Sequence, residues 1–162
     1  MKEREKTFEA YILVGSNIEP ESNLLRAVAR LRENTRVNAI SSVWETHAVG
    51  SLGPNFLNCV VRVSSDQSQL ELKTNLLAPI ETELGRERSS NKFAPRTIDL
   101  DIILFNNEIL EPRIWEEIFI AAPLSELLPD LRNPANGETL MASFERLSTD
   151  GFIKKRVDVI WR

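Results

Sequence analysis

Two aspartates separated by a single residue, Asp99 and Asp101, end a polar stretch that carries Arg86, Arg88, Lys92 and Arg96. In an extended strand alternate side chains share a face. The two carboxylates therefore project together, and Leu100, Ile102 and Leu104 project to the other side. Like charges so placed repel unless a cation lies between them. Mg²⁺ suits the position, because it takes hard oxygen ligands and keeps water and substrate phosphates in its shell. An isolated Asp-x-Asp is more often the solvated face of an edge strand. Cations leading straight into two acids form a different pattern, with acids for a metal and guanidinium forks for the oxygens the metal leaves free. The chemistry this suits is the binding of a metal-bridged polyphosphate.

Other chemistry-bearing residues are few. Gly15-Ser16-Asn17 follows a strand candidate and could form a tight turn that brings backbone close to a ligand, but its glycine spacing matches neither a P-loop nor a dinucleotide-binding turn. His47 is the single histidine and has no cysteine near it, so zinc is not indicated and no catalytic role is assigned to it. Cys59 is the single cysteine and sits in the apolar run Phe56, Leu57, Cys59, Val60, Val61. It can form no intramolecular disulfide, and it reads as a small buried hydrophobe.

The elements that must hold these groups follow from periodicity. Strands are expected at Phe8–Val14, Val37–Trp44, Phe56–Val63 and Thr97–Phe105, with a last one at Val157–Trp161. Helices are expected after Pro20, with Leu24, Ala27, Val28 and Leu31 on one face, over Ser68–Leu84 with a kink or break at Pro79, and over Leu140–Leu147. Asn106-Asn107 marks a turn into a short return strand from Glu108. Phe119–Leu128 reads as a short strand or turn running into a helix. Gly85–Lys92 reads as loop. The alternation predicts helices covering a sheet in an α+β or α/β sandwich.

A chain of 162 residues, 42% hydrophobic and 27% charged, suits one domain spanning 1–162 with a real core. The net charge of −4 argues against a broad nucleic-acid surface. The first residues are charged, with no apolar signal region, and no run reaches the ~18 apolar residues of a spanning helix. The expectation is a cytoplasmic protein with no membrane partner.

Several segments together resemble the 6-hydroxymethyl-7,8-dihydropterin pyrophosphokinase family of folate biosynthesis. They are Val14-Gly15-Ser16-Asn17, Ser42-Val43-Trp44-Glu45-Thr46 with Val49-Gly50, Phe56-Leu57-Asn58, Ile80-Glu81, Leu84-Gly85-Arg86 and Pro95-Arg96-Thr97-Ile98-Asp99-Leu100-Asp101 with Leu104-Phe105. Pro123-Leu124, Glu126 and Pro129 match a further stretch. The resemblance implies an α+β fold, a three-layer α-β-α sandwich whose antiparallel-rich sheet has a ferredoxin-like core. It implies ATP and a reduced pterin bound side by side, two Mg²⁺ ions on Asp99 and Asp101, and other folate-pathway enzymes as candidate partners. Arg86 and Arg96 would act on the phosphates with the two aspartates as the catalytic set. Asn58 would read the polar edge of the pterin, helped by Thr46 and Val49, and Phe56 and Phe119 would sandwich its ring. Glu81, Arg88 and Lys92 fall to the nucleotide, and Phe93 stands as a lid. The chain departs from the family at 106–118, which is shorter than usual and lacks a Pro-His motif and a following Arg. The implied reaction moves pyrophosphate from Mg-ATP to the pterin hydroxymethyl group and releases AMP. The alternative is a non-catalytic pterin-binding relative that has lost productive ATP binding.

Overall fold

The computed structural model describes residues 5–50, 52–87, 90 and 94–161. Its central strands are β1 (Phe8–Ser16) and β4 (Phe56–Ser65), paired antiparallel with Val14 opposite Cys59. Both are apolar on both faces, as strands covered on two sides must be. Ala10, Ile12 and Val14 enter one core with Cys59 and Val61, whereas Tyr11, Leu13 and Val60 enter a second. Helices α1 (Pro20–Asn34), α2 (Gln69–Leu72) and α3 (Ala78–Glu83) cover the first face, and α4 (Ile118–Leu127) and α5 (Leu140–Ser148) cover the second. The result is the three-layer α+β sandwich expected.

The other strands are β2 (Arg36–Ile40), β3 (Trp44–Thr46), β5 (Asp99–Phe105), β6 (Glu108–Ile109) and β7 (Ile153–Lys155). The sheet runs β6-β5-β1-β4-β3-β7, with β2 also paired to β4, and every pairing is antiparallel. Within it, β5-β1-β4-β2 is the order made by two interleaved βαβ units, the ferredoxin-like arrangement.

The structure corrects several expectations. Leu104 shares the face of the aspartates instead of opposing them. Tyr11 pairs with Leu104 but Ile12 with Ile102, so Ile103 is an extra, bulged residue, and beyond it the alternation is inverted. Val37–Trp44 is two strands, because Ser41 takes over at the break. Its N–H donates to the Val60 carbonyl at 2.9 Å and its Oγ accepts from the Val60 N–H at 2.8 Å. Phe119–Leu127 is helical throughout, and Leu128 caps the helix. Residues 120–125 are all buried, which removes the amphipathic period that reveals a helix in sequence. The last strand is Ile153–Lys155, which pairs along the three residues of β3. Residues 157–161 instead run past the core, with Trp161 Nε1 donating to the Ser41 carbonyl. The expected break at Pro79 takes the form of a π-helical turn, Lys73–Leu77, with the proline in the first turn of α3. Asn106 and Asn107 have positive φ, the geometry of a tight hairpin turn between β5 and β6. Among the described residues no helix is long and apolar enough to cross a membrane.

Candidate active site

One ladder row crosses the sheet through Asp99, Gly15, Asn58 and Trp44, each opposite the next. At ~4.8 Å per strand, the backbones of Asp99 and Asn58 lie only about 10 Å apart across Gly15. Above this row opens a cavity of about 340 Å³, within the range of small-ligand sites. Asp99, Asp101, Ile103, Leu13 and Gly15 line its floor. Thr46, His47, Val49, Phe56 and Asn58 line one side, Ala94 and Arg96 another, and Glu111, Arg113, Phe119 and Ile120 a third.

The amide of Asn58 lies over Gly15. A Cβ at Gly15 would stand 2.6 Å from Asn58 Oδ1, a contact that forces movement. Asn58 is 3% exposed, and its Nδ2 faces Thr46 Oγ1 at 3.5 Å, so it has little room to move. Gly15 is therefore a strand residue kept small for a neighbour, where a tight turn was expected. With Asn58 as the pterin reader that the resemblance implies, Gly15→Ala is expected to weaken pterin binding about as much as Asn58→Ala, on the order of tenfold or more, with nucleotide affinity within about threefold of the parent. Calorimetric titration of both variants checks this, and an unchanged pterin affinity in Gly15→Ala would refute it.

Asp99 is held from two sides. Arg86 Nη1 donates to its Oδ1 at 2.8 Å, and Arg96 Nη1 donates to its Oδ2 at 2.7 Å. Arg86 Nη1 also reaches Glu81 Oε2 at 2.7 Å, and Glu81 Oε1 accepts from the Leu100 N–H at 2.9 Å. The Asp101 carboxylate has no hydrogen-bonded partner among the described residues. Water reaches it from the cavity mouth, but the protein packed around it, with Asp99 and Glu81 nearby, pushes its carboxyl up to about 6 against the opposing pull of Arg86 and Arg96. A carboxylate left unpaired at such a position is the feature expected of a functional acid.

Most residues singled out in the sequence meet here: Thr46, Val49, Phe56, Asn58, Arg96, Asp99, Asp101 and Phe119 all line the one cavity. Glu81 and Arg86 do not. They stand behind Asp99, and Glu81, expected at the nucleotide, is buried with its oxygens turned to Arg86 and the strand. Arg88, Lys92 and Phe93 lie outside the described residues. Among the polar liners, His47, Glu111 and Arg113 had no assigned role. Arg113 lies in a 3₁₀ turn (Pro112–Trp115) and is held by Glu111, to which its Nε and Nη2 donate at 3.0 and 3.1 Å. His47 faces Asn55 Oδ1 at 3.0 Å and stacks on Phe152 with centroids 4.5 Å apart. A short segment with an Arg near its middle was the available signal for Arg113, but only folding shows where it returns.

Among the described residues no group of three or more metal-ligating side chains occurs. Two carboxylates with open positions are nevertheless the donor set that Mg²⁺ uses when substrate phosphates complete its shell. The residues present fit that ion.

Residues 11–129 match the family model described as 7,8-dihydro-6-hydroxymethylpterin-pyrophosphokinase. The chain belongs to that family.

Among its pyrophosphokinase relatives, the 2-amino-4-hydroxy-6-hydroxymethyldihydropteridine pyrophosphokinase of Bacillus subtilis is 40% identical over 138 residues, covering 78% of this chain and 81% of that protein. The enzyme of the same name from Synechocystis is 34% identical over 149 residues, 85% and 75% of the two chains. A solved Plasmodium falciparum HPPK-DHPS structure with pteroate superposes with a TM-score of 0.64 over 92% of this chain at 12% identity, a likeness of fold, and this chain spans 44% of that one. Other residues of the pyrophosphokinase segments do structural work. Glu126 on α4 accepts from Trp44 Nε1 at 2.6 Å and from the Ser42 N–H at 3.0 Å, which ties the helix to the strands beneath it. Cys59 is fully buried, and burial pushes its thiol well above the usual range.

Proposed function

We propose that this chain transfers the pyrophosphate of ATP to the hydroxymethyl oxygen of 6-hydroxymethyl-7,8-dihydropterin, releasing AMP, as a step of folate biosynthesis. The observation that carries this reading is one cavity that joins an amide-and-aromatic side to an acid-and-guanidinium side across one ladder row. Asn58 and Thr46 offer buried polar atoms to the edge of the pterin, and Phe56 and Phe119 supply flat apolar surface for its ring. Val49 closes the outer end. Burial of these contacts fixes the hydroxymethyl arm toward Asp99 and Asp101, so that alignment contributes much of the rate.

Asp99 and Asp101 would hold two Mg²⁺ ions, which when bound neutralise phosphate oxygens. Arg96 faces the same space and places a cation on the transferred group. Arg86 keeps Asp99 oriented from behind. Arg113, on the far wall, is a cation that the shortened segment brings to the same cavity, and the resemblance assigns Arg88 and Lys92 to the nucleotide and Phe93 to a lid. Transfer of this kind asks for alignment and charge stabilisation more than for a strong base. The binding-only alternative gains no support from the cavity or the relatives. Among other folate-pathway enzymes, one that uses the product is the partner class to test.

The direct test is AMP formation from ATP, Mg²⁺ and the pterin. AMP that appears only with the pterin supports transfer, and pterin binding without AMP would leave a binding protein. A pH dependence is also expected. A proton on Asp101 competes with a cation, so at limiting Mg²⁺ the rate should fall as pH drops through about 6. Saturating Mg²⁺ should move that fall to lower pH. A profile insensitive to Mg²⁺ concentration would remove Asp101 from the metal site.

A further inference from the structure

Asn17 lies just past β1, is 3% exposed, and does not line the cavity. Both ends of its amide are engaged, each by a different loop. Its Oδ1 accepts from the Arg96 N–H at 2.7 Å, and its own N–H donates to the Arg96 carbonyl at 3.1 Å. Its Nδ2 donates to the Pro54 carbonyl at 3.3 Å. Ser16 reinforces the first contact, with Oγ donating to the Thr97 carbonyl at 2.5 Å. The amide cannot turn over, because a flip would set its NH₂ against the Arg96 N–H and its oxygen against the Pro54 carbonyl.

Pro54 ends the segment that delivers Phe56 and Asn58 to the cavity. Arg96 belongs to the segment that delivers Asp99. One buried side chain therefore touches the backbone of both arms. We propose that Asn17 is a positioning residue that couples the two arms, so that a ligand on the Arg96 side strengthens pterin binding on the Pro54 side. The proposal rests on the functional reading above. A ligand that holds Arg96 holds its backbone, the backbone holds the amide, and the amide holds Pro54. By linkage the effect is reciprocal, since each ligand changes the affinity of the other by the same factor.

Asn17→Asp separates the arms, because it keeps an acceptor for the Arg96 N–H and replaces the donor to Pro54 with an oxygen. Asn17→Ser, smaller and neutral, serves if the buried acid unfolds the chain. Calorimetry with 6-hydroxymethyl-7,8-dihydropterin is run with and without Mg²⁺ and a non-hydrolysable methylene analogue of ATP. In the parent chain the analogue should tighten pterin binding several-fold. In the variants that ratio should collapse to about one, pterin alone should bind up to about tenfold more weakly, and the analogue alone should bind within about threefold of the parent. A variant that keeps the parent ratio overturns the proposal. So does a variant in which both affinities fall together in step with melting temperature, which marks a merely structural residue. A parent chain that binds both ligands with a ratio of one also overturns it and leaves the function standing. A parent chain that neither binds pterin nor forms AMP overturns the functional reading itself.

Discussion

Asp101→Asn is expected to lower Mg²⁺-dependent turnover by about a hundredfold or more while leaving the melting temperature at or above that of the parent chain. Removing a group that only supports a metal ligand costs about 10–100-fold, and removing a ligand should cost at least as much. Stability moves the other way. The side chain of Asp101 makes no hydrogen bond among the described residues, and its carboxyl is pushed up to about 6 by the surrounding protein and by Asp99 and Glu81. A carboxyl raised in the folded state costs stability that sets in as pH rises past its ordinary value, is complete above about 6, and is relieved as pH falls. The neutral amide removes the unfavourable part at neutral pH. Asp99→Asn should behave differently, although the sequence presents the two acids as a pair. It loses the ion pairs to Arg86 and Arg96 at 2.8 and 2.7 Å and leaves both guanidiniums short of a partner. Turnover and melting temperature should fall together. Steady-state rates beside thermal melts of the two variants decide the matter. Equal losses of stability would mean that Asp101 is held by the fold and is not waiting for a cation.

Glu81→Ala is expected to destabilise the chain by about 2–4 kcal/mol and to cut turnover with it. Glu81 is 6% exposed, and its two oxygens serve two groups. One accepts from the Leu100 N–H, between the two aspartates, and the other accepts from Arg86, which in turn holds Asp99. Alanine strands a buried backbone N–H and a partly buried guanidinium in one step. For a chain of this size the loss corresponds to a melting-temperature drop on the order of 10 °C. Glu81→Gln keeps an oxygen for Leu100 but sets an NH₂ toward Arg86, so it should retain more stability than alanine while still misplacing Asp99. Nucleotide affinity separates this account from direct contact. Loss of ATP affinity in Glu81→Gln with an unchanged melting temperature would restore Glu81 to the nucleotide side.

The segment from Pro95 to Asp101 was legible in sequence because its chemistry is local. Asp99 and Asp101 are two residues apart on a strand, and a period of two puts them on one face wherever the strand lies. The αβ alternation was legible for a similar reason, since Leu24, Ala27, Val28 and Leu31 mark a helix face without reference to anything distant. Cys59 could be assigned to the core from its neighbours alone. Elements whose form depends on a distant partner were not legible. Leu104 changes face because Tyr11 and Ile12 impose a bulge on β5. The Val37–Trp44 run divides where Ser41 meets Val60. The final strand forms at Ile153–Lys155 because β3 offers an edge there.

The same division runs through the site. The residue types needed for a metal-bridged phosphate and a flat heterocycle were written along the chain, and so was the resemblance that joined them. Tertiary structure decided which of them share a cavity, because that depends on strand register. Register places Asn58 and Asp99 on either side of Gly15, sets Glu81 and Arg86 behind the acids, and brings Arg113 to the wall. Side-chain identity is a property of one position, whereas adjacency across a sheet is a property of pairings between positions far apart in the chain.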